Sequence, residues 1–194
     1  AEHGAWDVSN YCYRSYDNAI RTMFGDPKTA KEYADNAQFL NADGYRAMFE
    51  AANHRMWDIT SGVMIWKINS CWPDVCWQIY DWYLAPNASY YFAKKAMEPG
   101  HVQLNAYDFR VSVINASHQT LQDVKVTAKV INNDMEVAWE DSQRITVSPD
   151  CYQEIVTVPR CGKYSYNYFV KLELHDKYGK LLSENLWISL GSPL

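Results

Sequence analysis

An aromatic segment in the middle of the chain, residues 66–83, holds the side chains best suited to binding a ligand. Indole rings stack on the apolar C–H face of a pyranose, while amide and carboxylate groups bind its hydroxyl groups. Trp66, Asn69 and Trp72 combine these properties at the end of a predicted strand, and Trp77 is a further candidate. This combination indicates a sugar-binding surface.

The aromatic rings also have a second interpretation, as packing anchors for a neighbouring domain, which is favoured for Trp82 and Tyr83. The segment contains two carboxyl groups, Asp74 and Asp81. Glycosidases use two carboxyls, about 5–5.5 Å apart when the mechanism is retaining and about 6.5–9.5 Å apart when it is inverting. One loop could bring this pair together, but a turn residue and a hydrogen-bonding residue are the commoner explanation for such a pair.

The composition excludes several classes of function. The chain has 194 residues, of which 48% are hydrophobic and 21% charged, as in a globular domain. Lys and Arg number 18 against 23 Asp and Glu, a net charge of −5 that argues against nucleic-acid binding through a basic surface. No apolar run reaches the length of about 18 residues needed to span a membrane. The first residues, AEHGAWDV, have no signal-peptide pattern.

The cysteines and histidines do not predict a metal site or a cofactor. Cys71 and Cys76 lie in a C-x4-C arrangement without a second pair, so we expect buried thiols rather than zinc ligands. Cys151 and Cys161 flank a predicted strand and would be able to pair only if their side chains face each other in an oxidising compartment. The five histidines are scattered without ligand spacing.

The first half of the chain, residues 1–97, reads as helices around one strand. Helices are predicted over 10–24, from Asp26-Pro27 to residue 55, and over 89–97. Residues 62–68 are mostly apolar and predict a strand buried on both faces, as in a parallel sheet covered by helices. This order is typical of the last part of an α/β barrel, where ligands bind at the carboxyl ends of the strands.

The second half, residues 98–194, predicts an immunoglobulin-like β-sandwich. Its short segments alternate between apolar and polar residues or are rich in β-branched residues, and turn sequences separate them. The predicted strands are 102–106, 109–114, 124–131, 135–139, 144–147, 154–158, 167–175 and 181–188. The Glu98-Pro99-Gly100 sequence marks the boundary between the two halves.

Several motifs occur together along the chain. They are GVMIWKINS at 62–70, Trp72-Pro73, WQIYD at 77–81, EPGHVQ at 98–103, and the SEN and WIS sequences within 183–189. In combination they resemble glycoside hydrolase family two. Within that family they are most similar to the exo-β-D-glucosaminidases, followed by the endo-β-mannosidases and β-mannosidases, and the similarity extends over nearly the whole chain.

The resemblance implies a (β/α)8 barrel with two catalytic glutamates, an acid/base after the fourth strand and a nucleophile after the seventh. Residues 1–97 then correspond to the part after the seventh strand, and residues 98–194 to a following sandwich domain. The resemblance therefore implies that both glutamates lie before Ala1. A whole barrel takes about 250 residues, so residues 1–97 are expected to be only part of one. The context of Glu2 does not match a nucleophile motif, and no catalytic residue is assigned in this chain.

The implied function is that of a fragment of a retaining, exo-acting β-glycosidase. It would act on β-linked glucosamine or related glycosides, with Trp66, Asn69, Trp72 and Trp77 forming the wall of the sugar site. A β-mannosidase or endo-β-mannosidase is the alternative, although the Asn69-Ser70 pair resembles the glucosaminidases. A non-catalytic module that binds carbohydrate or a partner domain is the alternative of another class.

The expected partners follow from the same resemblance. They are a glycan substrate and the missing N-terminal part of the same enzyme, and no nucleic acid, membrane, metal or cofactor is expected. A secreted or periplasmic location is favoured.

Overall fold

The computed structural model describes residues 7–73 and 78–190. In these ranges the chain forms three helices and seven strands, none of the helices being both long and apolar enough to cross a membrane. The elements are α1 (Asp7–Phe24), α2 (Ala30–His54), α3 (Ala88–Ala96), β1 (Gly100–Asn105), β2 (Arg110–Asn115), β3 (Leu121–Asn132), β4 (Val137–Val147), β5 (Cys151–Thr157), β6 (Asn167–His175) and β7 (Leu181–Leu190).

The chain divides into two compact units. Unit 1 comprises Ala1–Phe49 and Val63–Lys95, and unit 2 comprises Glu50–Gly62 and Ala96–Leu194. Helix α2 therefore contributes most of its length to unit 1 and its last turn to unit 2.

The predicted helices form, with the starts of α1 and α2 displaced. Helix α1 begins at Asp7 rather than at residue 10. Gly25 ends α1 with a positive φ of 81°, and its N–H donates to the Arg21 carbonyl at 3.0 Å. Helix α2 begins at Ala30 rather than at Asp26. The reason is that the Thr29 hydroxyl oxygen accepts the Glu32 N–H at 3.1 Å and so caps the first turn, whereas Asp26 pairs with Arg21 at 2.9 Å.

Aromatic contacts and buried polar contacts hold the helices of unit 1 together. The Phe39 ring packs edge-to-face against Phe24 at 5.8 Å and against Phe92 at 6.3 Å, measured between ring centroids. The Tyr16 hydroxyl donates to the Ala37 carbonyl at 2.8 Å. These contacts link α1, α2 and α3 within unit 1.

The predicted strand over residues 62–68 is wrong for this structure, because this segment lies outside the helices and strands. Its side chains nevertheless alternate. Met64, Trp66 and Ile68 are 98%, 76% and 58% exposed, whereas the residues between them are half-buried. A strand buried on both faces needs hydrogen-bonded neighbours and cover on each side, and the described residues of unit 1 contain no strand that could pair with it.

Unit 2 contains the predicted sandwich as two antiparallel sheets, with strand orders β1-β2-β5 and β4-β3-β6-β7. Strand β6 shows the alternation most clearly, because Tyr168, Val170, Leu172 and Leu174 are all buried in the core. The predicted strands 135–139 and 144–147 are one strand, β4, because residues 140–143 continue the ladder with β3. The polar side chains of these residues do not interrupt the backbone pairing.

Strand β1 is buried on both of its faces. Val102 and Leu104 belong to the sandwich core. His101 and Gln103 are also buried although they point to the opposite face. Gln103 Nε2 donates to the Glu50 carbonyl at 2.8 Å, so the last turn of α2 covers this face and one of its free carbonyls is satisfied.

Asn115 closes one end of the sandwich through its side chain, which is fully buried. Its Nδ2 lies within hydrogen-bonding distance of three carbonyl oxygens, those of Gln119 at 2.7 Å, Val147 at 3.2 Å and Ser148 at 2.9 Å. One amide group thus satisfies the backbone of two separate loops.

We predict that Asn115→Ala lowers the free energy of unfolding by about 2–3 kcal/mol, because it leaves buried carbonyl oxygens without a donor. The exposed Gln143→Ala is the control and should change it by no more than about 0.5 kcal/mol. Urea unfolding followed by the β-sheet circular dichroism signal measures both values. Similar losses in the two variants would contradict the role given to Asn115.

Candidate functional site

The predicted sugar-binding residues lie on the surface of unit 1. Trp66 is largely exposed, Trp72 is 61% exposed, and Asn69 is exposed as well. Trp77 falls within residues 74–77, outside the described residues. The exposed rings are accessible to a ligand, and their assignment to sugar binding stays a prediction.

A buried serine organises the turn that carries these side chains. Ser70 is almost fully buried, and its hydroxyl accepts a hydrogen bond from Lys67 Nζ at 2.6 Å and lies 3.5 Å from Gln78 Oε1. The same Lys67 ammonium group lies 5.9 Å from the centroid of the Trp72 ring, within cation–π range. Asn69 Nδ2 donates to the Ser70 carbonyl at 3.3 Å. Lys67 therefore links Ser70 to Trp72.

Sequence reasoning assigned no structural role to Lys67, Ser70 or Gln78, although the Asn69-Ser70 pair was used to favour one substrate class. A signal for Lys67 was present, since it is a charged residue within the apolar run of residues 63–68. It follows Trp66 through a cis peptide bond. Nothing local in the sequence marks the buried pairing of Ser70 with Gln78, eight residues away.

The far end of the aromatic segment is fixed to the start of α3. Asn87 Nδ2 donates to the Gln78 carbonyl at 2.6 Å, and Asn87 Oδ1 accepts the Ser89 N–H at 3.0 Å. Asn87 therefore caps the helix while it holds the preceding segment. The Tyr80 and Tyr90 rings, with centroids 5.0 Å apart, add an apolar contact in the same region.

Asp81 serves as a turn residue. Its Oδ1 accepts the Ala85 N–H at 2.8 Å, and its own N–H donates to the Ala85 carbonyl at 3.0 Å. This agrees with the hydrogen-bonding explanation for Asp81, while Asp74 lies outside the described residues. Trp82 and Tyr83, for which packing was favoured, are both exposed.

An open cleft of about 510 Å³ lies between the helices of unit 1 and residues 64–66. It is lined by Tyr16, Ala19, Leu40, Asn41, Gly44, Tyr45, Met48, Met64, Ile65 and Trp66. Burial, with a smaller contribution from Tyr45, raises the pKa of Tyr16 to about 12, so this hydroxyl stays protonated at neutral pH. The lining residues are mostly apolar and include no carboxylate. The cleft therefore resembles a gap in the packing between the helices and residues 64–66 more than a sugar site.

Metal-binding and disulfide chemistry find no support in the parts of the chain that the structure describes. No three His, Cys, Asp or Glu side chains within residues 7–73 and 78–190 form a group that could hold a metal ion. Cys151 and Cys161 are both free thiols, so the disulfide considered from the sequence is not formed. The expectation of a buried thiol is wrong for Cys71, which is exposed in the turn before Trp72. Cys76 lies outside the described residues.

Comparison with known proteins finds relatives of this chain that are named as glycosidases. Residues 108–188 match the Mannosidase Ig/CBM-like domain family. The chain is 30% identical over 193 residues to a mannosylglycoprotein endo-beta-mannosidase from Lilium longiflorum, a match that covers 95% of this chain and 20% of that protein. It is also 30% identical over 180 residues to an exo-beta-D-glucosaminidase from Amycolatopsis orientalis, covering 90% of this chain and 17% of that protein.

A solved structure of a related enzyme is also similar to this chain. The exo-chitosanase of Amycolatopsis orientalis matches with a TM-score of 0.86 and 29% identity, over 90% of this chain and 21% of that chain. The chain therefore spans about a fifth of the length of the relatives it matches. These similarities confirm the resemblance that the motifs predicted.

We predict that Ser70→Ala lowers the free energy of unfolding by about 1–2 kcal/mol, because it removes a buried hydroxyl that bonds Lys67. Trp66→Ala and Trp72→Ala should each change it by no more than about 0.5 kcal/mol, because both rings are mainly exposed. Chemical denaturation of the three variants provides the measurement. A larger loss for either tryptophan than for Ser70 would show that the ring packs instead of facing solvent.

Proposed function

We propose that this chain, which belongs among the glycoside hydrolases of family two and carries a Mannosidase Ig/CBM-like domain, supplies one part of a retaining β-glycosidase. In this proposal residues 1–97 are the last part of a (β/α)8 catalytic domain, and residues 98–194 are the sandwich domain that follows it. The wall of the sugar site consists of Trp66, Asn69, Trp72 and Trp77.

The observation that carries the proposal is the uncovered row formed by Met64, Trp66 and Ile68. Large apolar side chains at every second position are the pattern of a sheet strand, and their exposure is unusual unless another surface covers them. In a barrel, side chains of other strands would cover the amino-terminal part of this row, at Met64. Trp66 and Ile68 would lie towards its carboxyl end, on the ligand side of the barrel.

The chemistry of the exposed groups suits the binding step and the transition state. An indole face stacks on a sugar ring, and it also favours the positive charge that develops in an oxocarbenium-like transition state. The Asn69 amide provides a donor and an acceptor for sugar hydroxyls. Because the carboxylate of Asp81 is used in a turn, the acid/base and the nucleophile are assigned to a part of the enzyme outside these 194 residues.

Two substrate classes are compatible with this arrangement. The Amycolatopsis relative is named for exo-β-D-glucosaminidase activity and the Lilium relative for endo-β-mannosidase activity. The Asn69-Ser70 pair favours β-linked glucosamine through the family resemblance. Hydrolysis of a β-mannoside is the second candidate.

We predict that Trp66→Ala in the full-length protein lowers kcat/KM by about tenfold or more, which corresponds to about 1.4 kcal/mol of lost transition-state stabilisation. The substrates are p-nitrophenyl β-D-glucosaminide and p-nitrophenyl β-D-mannoside. The Tm should stay nearly unchanged because the ring is exposed. The matched control is Tyr83→Ala, which removes another exposed ring of the same segment and should leave kcat/KM within about twofold of the parent value.

The outcomes separate the competing explanations. Failure of the full-length protein to hydrolyse either substrate would favour the non-catalytic binding module. A large drop in Tm for Trp66→Ala would favour the packing interpretation of this ring. We expect the 194-residue chain alone to show no turnover, and measurable turnover by it would contradict the assignment of the catalytic carboxylates to the rest of the enzyme.

A further inference from the structure

A buried histidine in unit 2 lies between two carboxylates. His101 of β1 is fully buried, with Nε2 at 3.1 Å from Glu50 Oε1 and Nδ1 at 3.5 Å from Glu98 Oε2. Glu50 belongs to the last turn of α2, and Glu98 precedes β1. Loss of the proton from this ring would leave two carboxylates beside a neutral imidazole, so the charge of the ring is coupled to the stability of the contacts around it.

The hydrogen-bond geometry around His101 is fully satisfied when both of its ring nitrogens are donors. The Ser183 hydroxyl donates its only hydrogen to Glu98 Oε2 at 2.6 Å, so its oxygen accepts from the Val102 N–H at 3.4 Å and from His101 Nδ1 at 3.3 Å. On the other side of the ring, Nε2 faces the carboxylate of Glu50. Two donating nitrogens exist only in the imidazolium form.

The same cluster fastens the last turn of α2 to the sandwich. Asn185 Nδ2 of β7 donates to Glu50 Oε1 at 2.6 Å and to the Val102 carbonyl at 3.2 Å. Gln103 Nε2 donates to the backbone carbonyl of Glu50. Glu50 is thus held by β1 and β7 at once, through contacts that include the charged ring.

Two carboxylates and several neutral groups of the described residues surround the His101 ring. Helix α2 brings Glu50 and the connection before β1 brings Glu98, whereas β7 brings the neutral Ser183 and Asn185, and β2 places Ile114 opposite His101. Burial lowers the pKa of His101, but the hydrogen bonds and the attraction of the two carboxylates together raise this pKa above its ordinary value.

We propose that Glu50, His101 and Glu98 form a pH-sensitive latch that holds residues 50–62 on the sandwich while the His101 ring is protonated. Because the pKa is raised in the folded state, the stabilisation is complete below the unfolded-state pKa and is lost as the pH rises through the folded-state pKa. Above it, one ring nitrogen turns a lone pair towards an acceptor oxygen and the carboxylates lose their cation. The latch is independent of the proposed glycosidase activity.

Hydrogen–deuterium exchange of the full-length protein between pH 5 and pH 9 tests this inference. A peptide covering residues 125–131 of β3 serves as the internal reference for the pH dependence of intrinsic exchange. We expect the opening constant of residues 50–62, relative to this reference, to rise by up to about tenfold per pH unit between the unfolded-state and the folded-state pKa of His101, and to level off above the folded-state pKa. Glu98→Gln removes one anion and should move the midpoint to lower pH by about one unit.

Comparison of His101→Gln with two control histidine variants shows which residue causes the pH transition. His101→Gln should abolish the pH transition, while His118→Gln should keep it, since His118 is an exposed histidine 3.5 Å from Asp150. His54→Gln should also keep it, although His54 lies in the same segment, 3.9 Å from Glu154. A flat pH profile in the parent protein, an unchanged midpoint in Glu98→Gln, or loss of the transition in His54→Gln would each overturn the proposal.

Discussion

A strand that is apolar on both faces is stable only between hydrogen-bonded strands, and no strand among the described residues pairs with residues 62–68. The lack of a paired strand accounts for three features of unit 1. The segment keeps the alternating side chains of a strand without its ladder, a cleft of about 510 Å³ remains between it and the helices, and Trp66 projects from it. The turn after it is nevertheless fixed, because Ser70 and Gln78 are buried there.

Unit 2 meets the same constraint within its own residues. Its two antiparallel sheets supply each other's cover, and alternate residues such as Val170 and Leu172 fill the core. This explains why the sequence pattern predicted the sandwich well, since pairing and burial both arise from local alternation. The pattern failed at residues 140–143, where four polar residues resembled a turn but continue β4 because a ladder depends on backbone groups.

The features that the sequence did not predict depend on contacts between distant residues. The role of His101 depends on Glu50, 51 residues earlier, and on Ser183, 82 residues later, and no short motif records that arrangement. The strand predicted over residues 62–68 does not form for a related reason, because no strand among the described residues pairs with this segment. The residue types alone singled out Trp66, Asn69 and Trp72, and all three side chains are exposed in the structure. The contacts of Lys67 with Ser70 and Trp72 are visible only in the structure.

We propose that Trp66, Asn69 and Trp72 belong to the wall of a retaining site whose reacting carboxylates lie elsewhere in the enzyme. Trapping the full-length protein with a mechanism-based fluorinated β-glycoside, followed by peptide mass mapping, tests this proposal, because retaining enzymes form a covalent glycosyl–enzyme intermediate. We expect a glycosyl adduct on a glutamate outside the 194 residues. An adduct on Asp74 or Asp81 would overturn the proposal.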